Sequence, residues 1–374
     1  MRAGGLTLVR SEGLDVCRGC PSPAVTTTRH AWRIPSAGSL ERLARVTEDL
    51  APPGVGEARV RVEAIGLNFA DVFACLGLYS ATPPGAFVPG LECAGVVEAL
   101  GPPRASGEST VAPGDHVMVL TRFGGYATAL NADTRYLVPL PETWTMAQGA
   151  AYLVQALTAW HGLVHLGALA PGQVALVHSA AGGVGLHALA MARAIGATVI
   201  GTVGHGDKIP LLEARGLVRS QVVVRDAARF GAQLDAALAA MDASHFDVIF
   251  DAIAGSFFRP ALERLAPEGR HVLYGAADFM PSGARPNWRR LAWQFLRRPQ
   301  LDPMTLIDKN RSVMGFNLIW LFERADRLPA AASAALALSA APPHIGARFR
   351  FDELPRALRT LQGGRTTGKV IVEV

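Results

Sequence analysis

The chain has 374 residues, half of them hydrophobic and 18% charged, which suits a folded protein of two domains and excludes an intrinsically disordered chain. Thirty-six basic against 31 acidic side chains give a net charge of +5, compatible with an anionic cofactor and too diffuse to argue for nucleic acid. Four cysteines, at positions 17, 20, 75 and 93, are too few for a disulfide scaffold and place the chain in a reducing, cytoplasmic setting.

Residues 1–28 carry Gly, Cys, Pro, Ser and a Thr26-Thr-Thr28 run without periodicity, which predicts a poorly ordered extension. Its Cys17-Arg-Gly-Cys20 pair lacks the further ligands that a structural zinc site needs. The first residues have no apolar core of secretory length, and the longest uncharged run, Leu328 to Pro343, reads as a packed helix. From Arg29 onward short strands are expected in quick succession, at Arg59–Ile65, Ala94–Leu100, His116–Leu120 and Gly125–Leu130. Pro52-Pro-Gly54, Pro83-Pro-Gly85, Gly101-Pro-Pro103 and Pro113-Gly-Asp115 supply the turns, so this part is an all-β unit, a small barrel.

A different pattern begins at Gln173-Val-Ala-Leu-Val-His178, a buried-type strand. It runs into Ala180, Ala181, Gly182, Gly183, Val184 and Gly185, after which Leu186, Leu189, Ala190 and Ala194 recur at helical spacing. Small residues at a strand-to-helix turn let the backbone approach a pyrophosphate, and the helix N-terminus accepts its charge. Further strands at Ala197–Val203, Gln221–Arg225, Phe246–Asp251 and Arg270–Gly275 alternate with helical segments at Ile209–Leu217 and Phe230–Met241. That alternation makes an α/β, doubly wound parallel sheet. Counting about 20 residues past the turn reaches Thr202 where an NADH-preferring site carries a carboxylate. The stretch Thr202-Val-Gly204-His-Gly-Asp-Lys208 begins without one, and Lys208 is available for a 2′-phosphate, so the cofactor reads as NADPH. The alternative for Lys208 is a solvated lysine opening a helix.

Asn68-Phe-Ala-Asp71, Gly77-Leu-Tyr79, Pro89-Gly-Leu-Glu-Cys-Ala-Gly95, Gly114-Asp-His-Val117, Gly124-Gly-Tyr-Ala127, Ala156-Leu-Thr-Ala159 and the glycine turn occur in one order. In that order they resemble the quinone oxidoreductases of the zinc-free medium-chain dehydrogenase/reductase superfamily. The match spans residues 29 to 374, and the 287–316 segment and the 343–370 ending look like the branch containing the vesicle amine transport protein. The resemblance implies a GroES-like catalytic domain at 29–151 and 319–374 around a Rossmann NADPH-binding domain at 152–318. A sixth strand at Arg311–Leu318 would lie at the edge where such proteins pair as homodimers. The zinc enzymes of the superfamily carry ligands where Asn68, Leu91 and Val154 stand here, and none of these three is a zinc ligand.

The activity so implied is metal-independent hydride transfer from NADPH to a quinone or to the β-carbon of an α,β-unsaturated carbonyl. Asn68, Tyr79 and Asp71 are the catalytic candidates: Asn68 near the substrate oxygen or the nicotinamide ribose, Tyr79 as donor, Asp71 organising the loop. Their alternatives are a helix cap, a residue closing a hydrophobic face and a surface carboxylate. Thr158, Gly275, Phe316 and Asn317 are implied at the nicotinamide, and Lys369 either reaches the cofactor or is a solvated terminal lysine. Trp288 to Arg298 is amphipathic, with Trp288, Leu291, Ala292, Phe295 and Leu296 on one face and Arg289, Arg290, Arg297 and Arg298 among the rest. A helix packed over the cleft is the favoured reading; contact with an anionic membrane is the other. Two alternative functions stand beside the reductase: an NADPH-binding, membrane-associated or interaction protein with vestigial activity, and an enoyl-thioester reductase.

Overall fold

A computed structural model describes residues 26–104 and 111–374. The Cys17/Cys20 pair and most of the expected extension lie outside the described residues. Thr27 and Thr28 belong to the fold, because β1 (Thr27–Arg33) pairs antiparallel with β2 (Ala44–Leu50). The barrel sheet is built on β3 (Glu57–Leu67), whose Val60, Val62, Ile65 and Leu67 are buried. Helix α1 (Phe69–Cys75) follows β3 directly. β4 (Glu92–Leu100), β5 (His116–Leu120), β6 (Ala129–Asp133) and β7 (Leu137–Pro139) complete this part, β4 and β6 both flanking β3.

α2 (Met146–Gly149) and α3 (Leu153–Ala159), the latter continuing as a π-helical turn over Trp160–Leu166, lead into the second domain. There β8 (Val174–Val177), α4 (Gly183–Ile195), β9 (Thr198–Val203), α5 (Ile209–Ala214), β10 (Val222–Val224), α6 (Phe230–Ala239), β11 (Phe246–Asp251), α7 (Phe258–Glu263) and β12 (Leu265–Leu273) alternate. α8 (Trp288–Leu296) and α9 (Pro303–Asp308) intervene before β13 (Ser312–Gly315). The six strands are parallel in the order β10-β9-β8-β11-β12-β13, with β13 at the edge. The order reverses between β8 and β11, and ligands of open α/β sheets bind in the crevice at that switch point.

α10 (Leu328–Leu338) places Ala332 and Ala335 in one core with Leu153, Ala156, Leu186 and Leu189. The chain therefore leaves the cofactor domain near residue 345, later than the expected boundary at 319, because small alanine side chains let α10 lie against α3 and α4. β14 (Ile345–Arg350), α11 (Leu354–Gln362) and β15 (Lys369–Glu373) return to the barrel, with β15 inserted between β14 and β3.

α8 departs from the favoured expectation. None of its residues lines the interdomain cleft, whose rim is formed instead by Met280–Ser282. Trp288, Trp293, Phe295 and Leu296 are all exposed, as are Met304 and Ile307 on α9. Gln294 donates to the carbonyl of Asp278 at 3.1 Å and ties α8 to the domain below. No helix among the described residues is long and apolar enough to cross a membrane.

Candidate cofactor and active site

The glycine turn closes on itself. Ser179 takes φ +53°, the Gly182 N–H donates to the Ser179 carbonyl at 2.9 Å, and α4 begins at Gly183 with no side chain capping it. Free N–H groups at the end of a 13-residue helix form an anion site. The cradle admits no larger residue at two positions: a Cβ on Gly185 would enter the backbone of Ser179 and Ala180, and one on Gly183 would enter the Gln155 carboxamide. Gln155 Oε1 is buried without a hydrogen-bond partner beside this cradle. These features fit a dinucleotide pyrophosphate.

The cleft has a volume of about 950 Å³ and runs between the two domains. Asn68, Tyr79, Thr158, Ala181, Gly182, Gly183, Val184, Gly185, Gly204, Lys208, Gly275, Phe316 and Asn317 all line it. Four of the candidates stand behind its wall instead. Ala180 and Thr202 are fully buried, the Ala180 N–H donating to the Thr202 carbonyl at 2.9 Å. Asp71 and Lys369 are buried in the barrel, so Lys369 is not a solvated lysine and is not among the residues that line the cleft.

Lys369 organises the floor under Asn68. Its ammonium pairs with Glu92, and it donates to Asn68 Oδ1 at 2.7 Å. Asn68 Nδ2 donates to Glu92 Oε1 at 3.0 Å and to the Gly66 carbonyl at 3.3 Å, while Glu92 Oε2 accepts from the Val154 N–H at 2.9 Å. Both amide hydrogens of Asn68 are thereby engaged inside the protein, and the lone pair left on Oδ1 makes it an acceptor. Glu92 was readable in principle, as the carboxylate of Pro89-Gly-Leu-Glu-Cys-Ala-Gly95, an otherwise apolar run.

Asn68 also caps α1 by position, where its backbone N–H donates to Asp71 Oδ2 at 2.8 Å. Tyr126 donates to the same oxygen at 2.8 Å. Burial raises the Asp71 carboxyl to about 7 against the lowering effect of these two donors. Far from being a surface carboxylate, Asp71 holds the loop from within. Tyr79 is half-buried on the cleft wall and donates to Asn317 Oδ1 at 2.7 Å, a bond from the barrel to the cofactor domain. Burial pushes its phenol up to about 12, so it is protonated at neutral pH.

The two cations at the far end differ. Lys208 Nζ donates to the carbonyls of Gly364 at 2.7 Å and Thr366 at 2.8 Å, and burial lowers its ammonium. Arg225, which the sequence reading passed over, lines the same end of the cleft. It directs Nη1 to Thr202 Oγ1 at 3.0 Å and lies over the Phe257 ring at 5.6 Å.

The sequence matches the family described as zinc-binding dehydrogenase over residues 183–332 and the alcohol dehydrogenase GroES-like domain over residues 54–142. It is 31% identical over 341 residues to the human synaptic vesicle membrane protein VAT-1 homolog, covering 90% of this chain and 84% of that protein. The chain belongs to the zinc-free medium-chain dehydrogenase/reductase superfamily. Another superfamily relative is a segment of the Streptomyces venezuelae pikromycin polyketide synthase component PikAII, 41% identical over 254 residues, or 66% of this chain and 6% of that protein. Among solved superfamily members, a mycobacterial protein, Rv1454c, complexed with NADPH superposes with a TM-score of 0.79 at 27% identity, covering 92% of this chain and 100% of that one. The quinone oxidoreductase of Thermus thermophilus, solved with NADPH, gives 0.71 at 28% identity over 92% of this chain and 100% of its own.

The word zinc in the family description does not transfer to these residues. Asn68, Leu91 and Val154 all line the cleft. Leu and Val offer no donor atom, and Asn68 Oδ1 already accepts from an ammonium. Among the described residues, no group of three or more His, Cys, Asp or Glu is placed to hold a metal.

Proposed function

We propose that the chain reduces quinones or α,β-unsaturated carbonyls with NADPH and without a metal. The observation that carries this reading is the interdomain cleft itself, which joins an uncapped glycine turn to a wall bearing a protonated phenol and an oriented amide. The NADPH found with the mycobacterial and Thermus relatives supports the choice of cofactor.

When bound, the cofactor supplies a hydride. The protein's own residues supply the rest. Gly182 to Gly185 and the α4 N-terminus hold the diphosphate. Gly275 lines the cleft, and its close approach to Ala252, whose backbone a Cβ would press on, keeps this position free of a side chain. Asn68 Oδ1, held by Lys369, accepts a hydroxyl from the ribose side, and this favours the ribose over the substrate oxygen as its partner. Tyr79 donates to the oxygen on which charge develops, turning its O–H from Asn317 by rotation about the C–O bond.

The test is NADPH oxidation against 1,4-benzoquinone, 9,10-phenanthrenequinone, an alkenal and crotonyl thioester, with NADH in parallel. Tyr79→Phe is expected to lower kcat by about 10²–10³, the usual loss for one oxyanion donor, with NADPH affinity intact. Asn68→Ala is expected to raise KM for NADPH more than it lowers kcat. Tight NADPH binding with no turnover of any acceptor would refute the reductase.

One observation favours a second reading, of a membrane-associated protein whose reductase activity is vestigial. α8 and α9 expose Trp288, Trp293, Phe295, Leu296, Met304 and Ile307. Five arginines and no acidic residue lie between Met280 and Leu301. Arg297 and Arg298 stack over Trp293 at 4.3 Å and Phe295 at 3.7 Å. Aromatic rings flanked by arginines suit the interface of an anionic bilayer. Co-sedimentation with phosphatidylserine vesicles that is absent with phosphatidylcholine and lost in Trp293→Ala/Phe295→Ala is the expected outcome. Equal recovery in the supernatant with both lipids would remove this reading.

A further inference from the structure

We propose that the acceptor is an uncharged, lipid-soluble quinone or enone dissolved in an anionic bilayer, and that the outward face of α8 holds the mouth of the cleft against that bilayer. The inference rests on the reductase reading above and names its substrate class; membrane contact here serves turnover instead of replacing it.

The residues that the barrel contributes to the cleft carry no charge. They include Phe69, Phe73, Leu78 and Leu91 along with Asn68 and Tyr79, and the 315–322 segment adds Ile319 and Phe322. Tyr79 is bonded to Asn317, so the two sets come together at the proposed proton donor. Among the described residues that line the cleft, the charged side chains are Lys208, Arg225 and Asp278, all from the cofactor domain. An acceptor bearing a phosphate or carboxylate would meet no counter-charge from the barrel, and an unpaired charge is costly to bury. A ring with an alkyl chain meets apolar side chains throughout.

The cleft opens beside α8. Met280, Pro281 and Ser282 line it, and the chain runs from them into that helix. This rim is held to the barrel: Gln362 Nε2 donates to the carbonyls of Pro281 at 2.7 Å and Gly283 at 3.0 Å, and the Leu40 N–H donates to the Ala284 carbonyl at 2.9 Å. On the other side Gln294 ties α8 to Asp278, itself a lining residue. The helix is thereby fixed to the rim from both domains. Its Trp288, Trp293, Phe295 and Leu296 are exposed, and so are Arg289, Arg290, Arg297 and Arg298. None of these four arginines forms an ion pair among the described residues. Exposed indoles settle at headgroup depth, and guanidinium groups around them are drawn to anionic lipid. An acceptor of the class that suits the cleft concentrates in that same phase. Each turnover transfers one hydride from NADPH and one proton to the quinone, which returns to the bilayer as the hydroquinone.

The test compares 1,4-benzoquinone in solution with a decyl-substituted 1,4-benzoquinone dissolved in phosphatidylserine or phosphatidylcholine vesicles. The lipid-borne quinone is expected to be reduced at least about 10-fold faster from phosphatidylserine than from phosphatidylcholine, given four arginines near the surface. Trp293→Ala/Phe295→Ala is expected to lower that rate by about 10-fold, leaving benzoquinone turnover within about twofold, as exposed positions outside the cleft allow. Arg297→Glu/Arg298→Glu is expected to abolish the preference between lipids. Tryptophan fluorescence quenched by dibrominated phosphatidylserine, and unquenched in Arg297→Glu/Arg298→Glu, reports the contact without any turnover. Equal rates from both lipids would overturn the inference and leave the reductase standing. A parallel fall of both acceptors in Trp293→Ala/Phe295→Ala would also overturn it, as would quenching without a gain in rate. If neither the soluble nor the lipid-borne quinone is reduced, the reductase itself fails and the inference falls with it.

Discussion

Lys369→Met is expected to lower the unfolding free energy by about 3–5 kcal/mol, the range found when one partner of a buried ion pair is removed. The side chain is fully buried and so is that of Glu92. Methionine fills a similar volume, so the loss comes from a carboxylate left in the protein interior with only the Asn68 amide and the Val154 N–H as donors. The double variant Lys369→Met/Glu92→Gln removes the stranded charge and is expected to recover part of the loss, because the cost of a broken pair lies mostly in the ion that remains. Urea unfolding of the three proteins measures both effects. A single variant within about 1 kcal/mol of the parent would contradict the pairing. The same substitution frees Asn68 Oδ1 from its donor, so cofactor affinity is expected to fall even where the protein stays folded.

Asp71→Asn is expected to remove a pH dependence from the stability. The carboxyl sits at about 7 in the folded chain because burial disfavours its charged form, whereas an unfolded aspartate titrates near about 3.9. A group with a raised folded pKa contributes stability that is complete below the unfolded value and lost as pH climbs through the folded one. The parent chain should therefore lose stability between about pH 4 and 7 from this group and then level off. Asparagine keeps an acceptor for the Asn68 N–H and the Tyr126 hydroxyl and carries no charge at any pH. The difference in melting temperature between variant and parent is expected to move in the variant's favour from about pH 5 to about pH 8. Parallel profiles across that range would show that Asp71 does not titrate there.

How much of this was legible depended on whether a residue's neighbours in sequence are also its neighbours in space. The strands of the cofactor domain announced themselves because each is a short buried run between turn signals, and the glycine turn carried its own context on both sides. The β1–β2 hairpin did not, since Arg29, His30, Arg33, Arg45, Glu48 and Asp49 make its strands read as polar loop. β14 hid for a similar reason, alternating half-buried Ile345, Ala347 and Phe349 with exposed Gly346, Arg348 and Arg350. Lys369 resembled a terminal surface lysine because its partner Glu92 lies 277 positions away. Lys208 stood out by local sequence as a candidate phosphate ligand, whereas Arg225, at the end of the next strand, was passed over. Both line the cleft, and the carbonyls of Gly364 and Thr366 that Lys208 meets lie more than 150 residues downstream, beyond the reach of local sequence. The α8 segment was correctly read as amphipathic, but periodicity gives a helix two faces without saying which of them meets protein.

The insertion of β15 between β14 and β3 sets an order of events during synthesis. Every strand of the cofactor sheet is made before Lys369 leaves the ribosome, so that domain can close on itself early. The barrel cannot do the same: β3, among the first strands made, has β6 along Glu57–Arg61 but keeps the Ala64–Leu67 part of that edge open until the five residues of β15 arrive. The lysine that orients Asn68 arrives with them, so the wall bearing Asn68 matures last, after the nucleotide-binding half has had time to form.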